Sequence, residues 1–374
     1  MKTVTPTFID YFADLTDPRI EDRCHHKLID ILFIAVCAVI CGADTFTDME
    51  EFGISKQAWL QQFLDLPNGI PSHDTFGRVL ARLKPSEFQR CFVEWVRAVA
   101  GATNDEIVPI DGKKLRRSHN RSKGLQAIEV VSAWAVANHL VLGQVKVSED
   151  SNEITAVPEL LKLLELKGCI VTVDALNTQK DIAVEIRNQG ADYVLALKGN
   201  HSTLRKEVEL FFKDVKEDRT YGFEISTHQT VDGEHGRIET RKYWHVNAPD
   251  HLSGKSEWKD LASLGMVEAI REVHGETSRE NRYYLSSLKV EAERLAEAVR
   301  GHWAIENSQH WILDVVFRED DCRVRVGHAA ENFALIRRGA LNLLQQEKTL
   351  KRGVKTKRLK AALDERYLLK VLNT

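Results

Sequence analysis

Three acidic residues are the leading candidates for chemistry in this 374-residue chain. Asp111 ends the apolar run IVPID, and Asp174 ends CIVTVD. Both runs have the composition of short buried strands. A carboxylate ending such a strand is costly unless something stabilises it. The C-terminal edge of an α/β sheet is also where ligands and metals usually sit. Each aspartate alone would serve as well as a helix cap or turn residue; as a pair on neighbouring strands they suit a cation. The third acid is Glu306, in residues 300–321 (RGHWAIENSQHWILDVVFREDD). His302, Glu306 and His310 are four residues apart and are expected on one helix face. Ile305, Trp311, Ile312 and Val315 fall elsewhere and are expected in the core. Three hard oxygen donors suit Mg²⁺ or Mn²⁺ rather than Zn²⁺. A His-Glu-His zinc face is the alternative, but it lacks the HExxH order. A solvated polar helix face is the plain alternative.

Basic residues follow the candidate carboxylates. Residues 112–123 (GKKLRRSHNRSK) hold six Lys and Arg and no acid. Lys113, Lys114, Arg116 and Arg117 could hold a polyanion beside Asp111. Lys198 and Asn200, after the strand-like DYVLAL, could do the same at that sheet edge, and so could Arg237 in the polar turn HGR. Loop chemistry without function is the competing reading for both.

The elements that must position these residues follow from periodicity. Residues 1–103 read as a helical domain. Residues 29–43 form one buried helix, 49–63 a second, and 66–71 (LPNGIP) a turn. Ser72 can cap a third helix reaching Leu83. Helix, turn and helix are thus spelled out over 49–83. A DNA-reading helix would expose Ser72, His73, Thr75 and Arg78 to a groove; an ordinary helical hairpin would not. Residues 104–218 and 288–346 alternate strands and helices as a mixed α/β sheet would. Strands are expected at 107–111, 128–137, 140–147, 169–174 and 192–197, and helices at 158–166, 178–189 and 202–212. Residues 219–287 read as a β-rich antiparallel insertion. Residues 347–374 form a basic tail, with seven Lys and Arg and no acid over 348–360.

Composition excludes several classes. Charged residues are 29% and apolar ones 43%, ordinary for a globular chain and poor for disorder or coiled coil. The longest uncharged apolar run, 31–43, has 13 residues, fewer than the roughly 18–20 a membrane-spanning helix needs. The N-terminus lacks a secretory pattern, so a cytoplasmic protein is expected. The six cysteines contain no CxxC pair and are expected as reduced thiols, with Cys24, His25 and His26 only a weak metal set. The net charge of −3 excludes a uniformly basic nucleic-acid binder but not a local one. Residues 1–100, with 10 Lys and Arg against 14 Asp and Glu, are acidic, whereas 112–123 and 348–360 are basic.

Several motifs, in order over roughly 8–345, carry a resemblance. They are DPRIEDRCHHKLIDILFIAVCAVICGA, GIPSHDTFGRVL, DGKxxRxS, SNEI, VDALNTQ, DYVLALKGNH, HGRIETR and HWAIENSQHWILDVVFRED. Together they resemble the DDE insertion-sequence transposases of the ISAs type, the group that includes the H-repeat-associated proteins of enterobacteria. The resemblance implies an RNase H-like catalytic core whose triad maps onto Asp111, Asp174 and Glu306. The 132 positions from Asp174 to Glu306 fit the subgroup with a β-rich insertion before the glutamate. It further implies Mg²⁺-dependent cleavage of transposon-end DNA and joining of the 3′-OH ends to target DNA. The expected partners are terminal inverted repeats and target duplex, held by a homodimer, in the bacterial cytoplasm and on the nucleoid when bound. One departure concerns the Y-x2-R-x3-E-x6-K helix of related enzymes. Here Val299, His302 and Leu313 occupy the Tyr, Arg and Lys positions, and Arg300 is the shifted substitute for a DNA clamp. An inactive DNA-binding remnant and a nuclease without strand transfer are the alternatives.

Overall fold

Apolar periodicity translates directly into elements in the computed structural model, which describes residues 7–20, 24–100, 105–119, 126–148, 151–219, 222–234, 237–273 and 275–374. Arg121 and Lys123 of the basic run, and His235 and Gly236 of the HGR turn, lie outside these residues. The chain opens with six helices: α1 (Thr7–Phe12), α2 (Leu28–Ile40), α3 (Phe46–Ser55), α4 (Gln57–Leu60), α5 (His73–Arg82) and α6 (Pro85–Ala100). Then come β1 (Ile107–Lys114), β2 (Glu129–Ala135), β3 (Leu140–Lys146), α7 (Glu153–Leu163), β4 (Ile170–Val173), α8 (Lys180–Asn188), β5 (Asp192–Leu197) and α9 (Ser202–Lys216). Four long strands follow: β6 (Ile225–Glu234), β7 (Arg237–Asn247), β8 (Ser263–Val273) and β9 (Glu276–Ser286). The chain closes with α10 (Ala292–Ala304), a π-helical turn (Ile305–His310), α11 (Trp311–Val315), α12 (Ala329–Gln346), α13 (Val354–Leu363) and α14 (Glu365–Leu372). Nine strands are thus present among the described residues, in a mixed α/β architecture.

The chain divides into two compact units. The first comprises residues 1–102, 112–152 and 306–374, and the second 103–111 and 153–305.

The first unit is built around two apolar helices. In α2, every residue except Ile29 is buried, as expected for a helix that is apolar all round. Nearly all of α12 is buried as well, and it packs on α2, α5, α6 and β3. Two asparagines lock α12 in place. Asn332 Nδ2 donates to the Leu80 and Leu83 carbonyls at the end of α5, both at 2.9 Å. Asn342 Nδ2 donates to the Val141 carbonyl (2.9 Å) while its Oδ1 accepts from the Val141 amide (2.8 Å). The expected helix over 49–63 is two helices. Thr45 and Asp48 form a reciprocal cap that starts α3 at Phe46, and Lys56 leaves helical geometry before α4.

The basic segment 348–360 is not a free arm. Lys357 and Arg358 are buried in the first unit. Lys357 Nζ donates to the Leu344 carbonyl at 2.8 Å. Arg358 reaches the Val39 carbonyl at 2.9 Å, with its guanidinium over the Phe317 ring. Tyr367 on α14 donates its hydroxyl to Glu347 at 2.8 Å. Long side chains with apolar stems explain how a run of net charge +7 packs two of its cations inward.

The second unit carries the strand order β1-β4-β5-β9-β8-β7-β6. β1, β4 and β5 run parallel and are buried on both faces, which explains their continuous apolar runs. β9 pairs antiparallel with β5, and β6–β9 are two long hairpins. The expected β-rich insertion therefore extends the sheet. β7 alternates buried and partly buried residues, the period of a strand with one wetter face. α10 packs over β4, β5, β6 and β7. Its first turn is tied down where Ala292 N donates to Ser226 Oγ (3.0 Å) and Glu291 N to His245 Nδ1 (2.9 Å).

Asn342→Leu strands the amide and carbonyl of Val141 in a dry environment. The expected loss is about 1–3 kcal/mol for each backbone group left unpaired. A lower midpoint in chemical denaturation checks this; an unchanged midpoint counts against the clamp.

Candidate active site

β1 and β4 are parallel neighbours in the register Pro109↔Thr172 and Ile110↔Val173. The next residues are Asp111, inside β1, which runs on to Lys114 past the expected end at 111, and Asp174, just past β4. The two carboxylates therefore start from matched positions on strands about 4.8 Å apart, at the C-terminal edge of the parallel ladder. That is the juxtaposition expected from the two apolar runs.

The loop after β4 is held by its own polar residues. Asn177 is fully buried and donates to Asp174 Oδ1 from its backbone N (2.9 Å) and from Nδ2 (3.0 Å). Nδ2 also lies 3.0 Å from Glu153 Oε2, so one amide bridges two carboxylates. Thr178 Oγ1 sits 2.9 Å from the Asp174 carbonyl and 2.7 Å from that of Ala196. Asn200 Nδ2 donates to the Ala175 carbonyl at 2.7 Å, and His201 Nε2 lies 2.7 Å from the Thr178 carbonyl. Asn200, expected as a phosphate contact, fastens the loop through Nδ2, and both it and Lys198 are exposed. Sequence reasoning passed over Glu153, Asn177 and Thr178 as actors. Their signal was membership of the SNEI and VDALNTQ motifs.

α10 lies across the Thr172 side of β4, where Thr172 Oγ1 contacts His302 Nδ1 at 2.9 Å. Burial pushes the His302 imidazole down to about 4, with Asp174 pulling weakly the other way. Residues 305–310 are π-helical where an uninterrupted α-helix was expected. His302 contacts Thr172, Glu306 is exposed, and His310 is half-buried. The apolar residues do not all turn inward. Ile305 is buried, but Trp311 and Val315 are more than half exposed.

In the first unit the basic run meets an acidic segment. Lys113 is buried and pairs with Asp314 and, at 3.6 Å, with Asp320. Arg116 pairs with Asp320 (3.1 Å) and Arg117 with Asp321 (3.4 Å). Lys114 is exposed. Lys113 is therefore an internal cation and not a surface phosphate clamp. Beneath it, Arg338 and Glu319 form an ion pair at 2.9 Å with both side chains fully buried. Burial works to raise Glu319, but Arg338, Arg337 and Lys113 outweigh it and hold the carboxyl below its ordinary value. Burial pushes the His310 imidazole down to about 3, and Arg338 and Lys113 push the same way.

The remaining candidates are dispersed. Arg237 begins β7 and pairs with Glu239 at 3.3 Å. Arg300 is exposed on α10. On α5, Ser72 gives no side-chain cap and instead hydrogen-bonds Thr75 Oγ1 at 3.1 Å. His73 Nδ1 meets Glu50 at 2.6 Å, which raises its pKa. Arg78 Nε donates to the Asp74 carbonyl at 3.2 Å. Among the described residues, no three His, Cys, Asp or Glu side chains group closely enough to hold a metal ion. Asp111 and Asp174 do supply hard oxygen donors at the end of the β1–β4 ladder, the chemistry a divalent cation such as Mg²⁺ requires.

Residues 102–343 match the family described as transposase DDE domain, and 9–96 match the DDE_Tnp_1-associated family. The chain belongs to the DDE transposase family. Its core is accordingly RNase H-like, with the helical segment ahead of it. The chain is 42% identical over 371 residues to the H repeat-associated putative transposase YhhI of Escherichia coli K12, covering 97% of each chain. It is 43% identical to the putative transposase YncI of Escherichia coli O157:H7, covering 98% of this chain and 94% of that one. A shorter match, 49% over 76 residues and 20% of this chain, is to a protein named inactive transposase YbfQ from the K12 strain. Among the described residues, no helix of this transposase is long and apolar enough to cross a membrane.

The depressed imidazole of His310 has a thermodynamic consequence. An unfolded histidine titrates near 6.5 and the folded one near 3, so acid favours the unfolded state as pH falls below about 6.5. Between pH 6.5 and 5 ordinary carboxylates stay charged. His310→Gln is expected to flatten the fall in unfolding free energy there by up to about 1.4 kcal/mol per pH unit. Parallel curves for the two proteins would contradict it.

Proposed function

We propose that this chain cuts the ends of a mobile DNA element and joins the freed 3′-OH ends to target DNA, with Asp111, Asp174 and Glu306 as its metal-holding carboxylates. The register-matched pairing of Asp111 with Asp174 carries the reading. Two aspartates that follow the last paired residues of β1 and β4 add no apolar packing. Their location suits a doubly charged cation and, through it, a phosphate. Glu306 would complete the donor set from the π turn that follows α10. π turns interrupt helices frequently at functional sites.

The chain's own residues do the positioning. Asn177 holds Asp174 through Oδ1, which leaves Oδ2 for a cation. Thr178 and Asn200 fasten the loop that carries it. Thr172 and His302 fix the end of α10 on β4, four residues before Glu306. Lys198, Lys114, Arg116 and Arg117 attract flanking phosphates without reading bases. When bound, Mg²⁺ or Mn²⁺ neutralises charge on the scissile phosphate and acidifies an attacking water. Cleavage exchanges the bond from phosphorus to the 3′ oxygen for one to water. Joining replaces a target phosphodiester bond by one to the new 3′-OH, so bonds are conserved in transesterification. Two element ends imply two such sites, and a homodimer on paired inverted repeats is the arrangement we propose.

Asp111→Asn, Asp174→Asn and Glu306→Gln should each lower Mg²⁺-dependent cleavage of a plasmid carrying the element's ends by at least about 10³-fold. Their folds should remain as judged by circular dichroism. Full cleavage by any one of them would overturn its assignment. Nicked plasmid without joined product would favour a nuclease lacking strand transfer.

A further inference from the structure

A cavity of about 930 Å³ opens in the first unit between α5 and residues 318–327. α5 contributes Arg78 and Arg82, and the loop contributes Arg318, Arg323 and Arg325. Three aspartates also line it, but each is already answered. Asp44 has Arg358 at 3.7 Å, Asp74 has His73 at 3.7 Å, and Asp321 has Arg117 and Arg318 at 3.4 Å. Among the described residues, Arg78, Arg82, Arg323 and Arg325 have no carboxylate within ion-pair distance. The only hydrogen bonds they make are from Arg78 Nε to the Asp74 carbonyl and from Arg325 Nε to the Arg323 carbonyl, among the described residues. Their outer guanidinium nitrogens remain available. Four like charges around one concavity repel unless something anionic enters.

The cavity wall is built to hold its shape. His328 N donates to the Ala81 carbonyl at 3.0 Å, seating the loop on α5. At Gly327, φ is +52° and a Cβ would stand 2.4 Å from the Ala81 oxygen, so only glycine permits this approach. The other side of α5 borders a second cavity, lined by Arg19, His26 and Asn68 as well as Ser72 and Thr75, and Arg78 and Arg82 border both.

We propose that the groove between α5 and the 318–327 loop seats the sugar-phosphate backbone of duplex DNA, with Arg78, Arg82, Arg323 and Arg325 on the phosphates. Phe46, Ala81 and Val326 supply an apolar floor suited to sugar edges. The groove positions DNA without reading sequence, a role separate from the metal-holding carboxylates. It rests on the transposase reading for the identity of the polyanion.

The test is fluorescence anisotropy of a labelled duplex with the full chain, over a range of salt. The variant R82A/R323A/R325A should bind at least about tenfold more weakly, with a salt slope smaller by roughly 2–3, one per lost phosphate contact. Sequence preference and circular dichroism should not change. Loss of binding in the arginine variant, even if the unmodified chain fails to cleave, supports the groove while removing the catalytic reading. Binding by the arginine variant with unchanged affinity and slope overturns the groove and leaves catalysis standing. A chain that binds poly-glutamate through these arginines but not duplex DNA would also overturn the proposal, in favour of an acidic protein partner.

Discussion

Parallel pairing of β1 with β4 delivers two like charges to one end of one ladder, and much of the second unit follows from that. Half-buried polar groups at such a position are held by hydrogen-bond partners. Asn177 meets the need at Asp174 with two donors, and it is fully buried, so it must itself be held. Glu153 shares its amide, while Thr178 ties the loop to the Ala196 carbonyl of β5, and Asn200 and His201 bond the loop's own carbonyls. The loops at the strand ends are consequently crossed by short polar bonds. α10, fastened at Ser226 and His245 near its start and at Thr172 near its end, fixes where the following helical turn begins.

The first unit solves a different problem. Its central helix carries Arg337 and Arg338 with almost no exposure, an arrangement that apolar residues of like volume would make easier to fold. Glu319 compensates Arg338, and the Phe333 ring lies 3.7 Å from the Arg337 guanidinium carbon. Lys113, Asp314 and Asp320 continue the network to the end of β1. Such a network is weak evidence for stability. It does orient charge without the freedom a surface cluster would have.

The strands were readable because they are apolar on both faces and bounded by turns; β5 occupies 192–197 as its composition indicates. The aspartates were readable for the same reason, since each interrupts a run at its end. What escaped were features that depend on partners distant in sequence. The π turn over 305–310 was also hidden, because an α-helical period was assumed throughout that segment. Lys113 and Arg358 looked like surface cations because their partners, Asp314 and the Val39 carbonyl, lie 201 and 319 positions away. The exposure of Trp311 was likewise hidden, because hydrophobicity alone does not tell which side of a short helix finds a neighbour.

The first unit is discontinuous: residues 1–102 must combine with 306–374. On a ribosome the N-terminal segment emerges about two hundred residues before its cover, at roughly 5–20 residues per second. For those tens of seconds α2, apolar on all sides, waits without α12. The nascent chain therefore carries an all-round apolar helix early and completes its burial late. A gene copy truncated anywhere upstream of Ala329 would encode that exposed helix without the element that covers it. Such a fragment is a substrate for chaperones and proteases before it is a candidate for any residual activity.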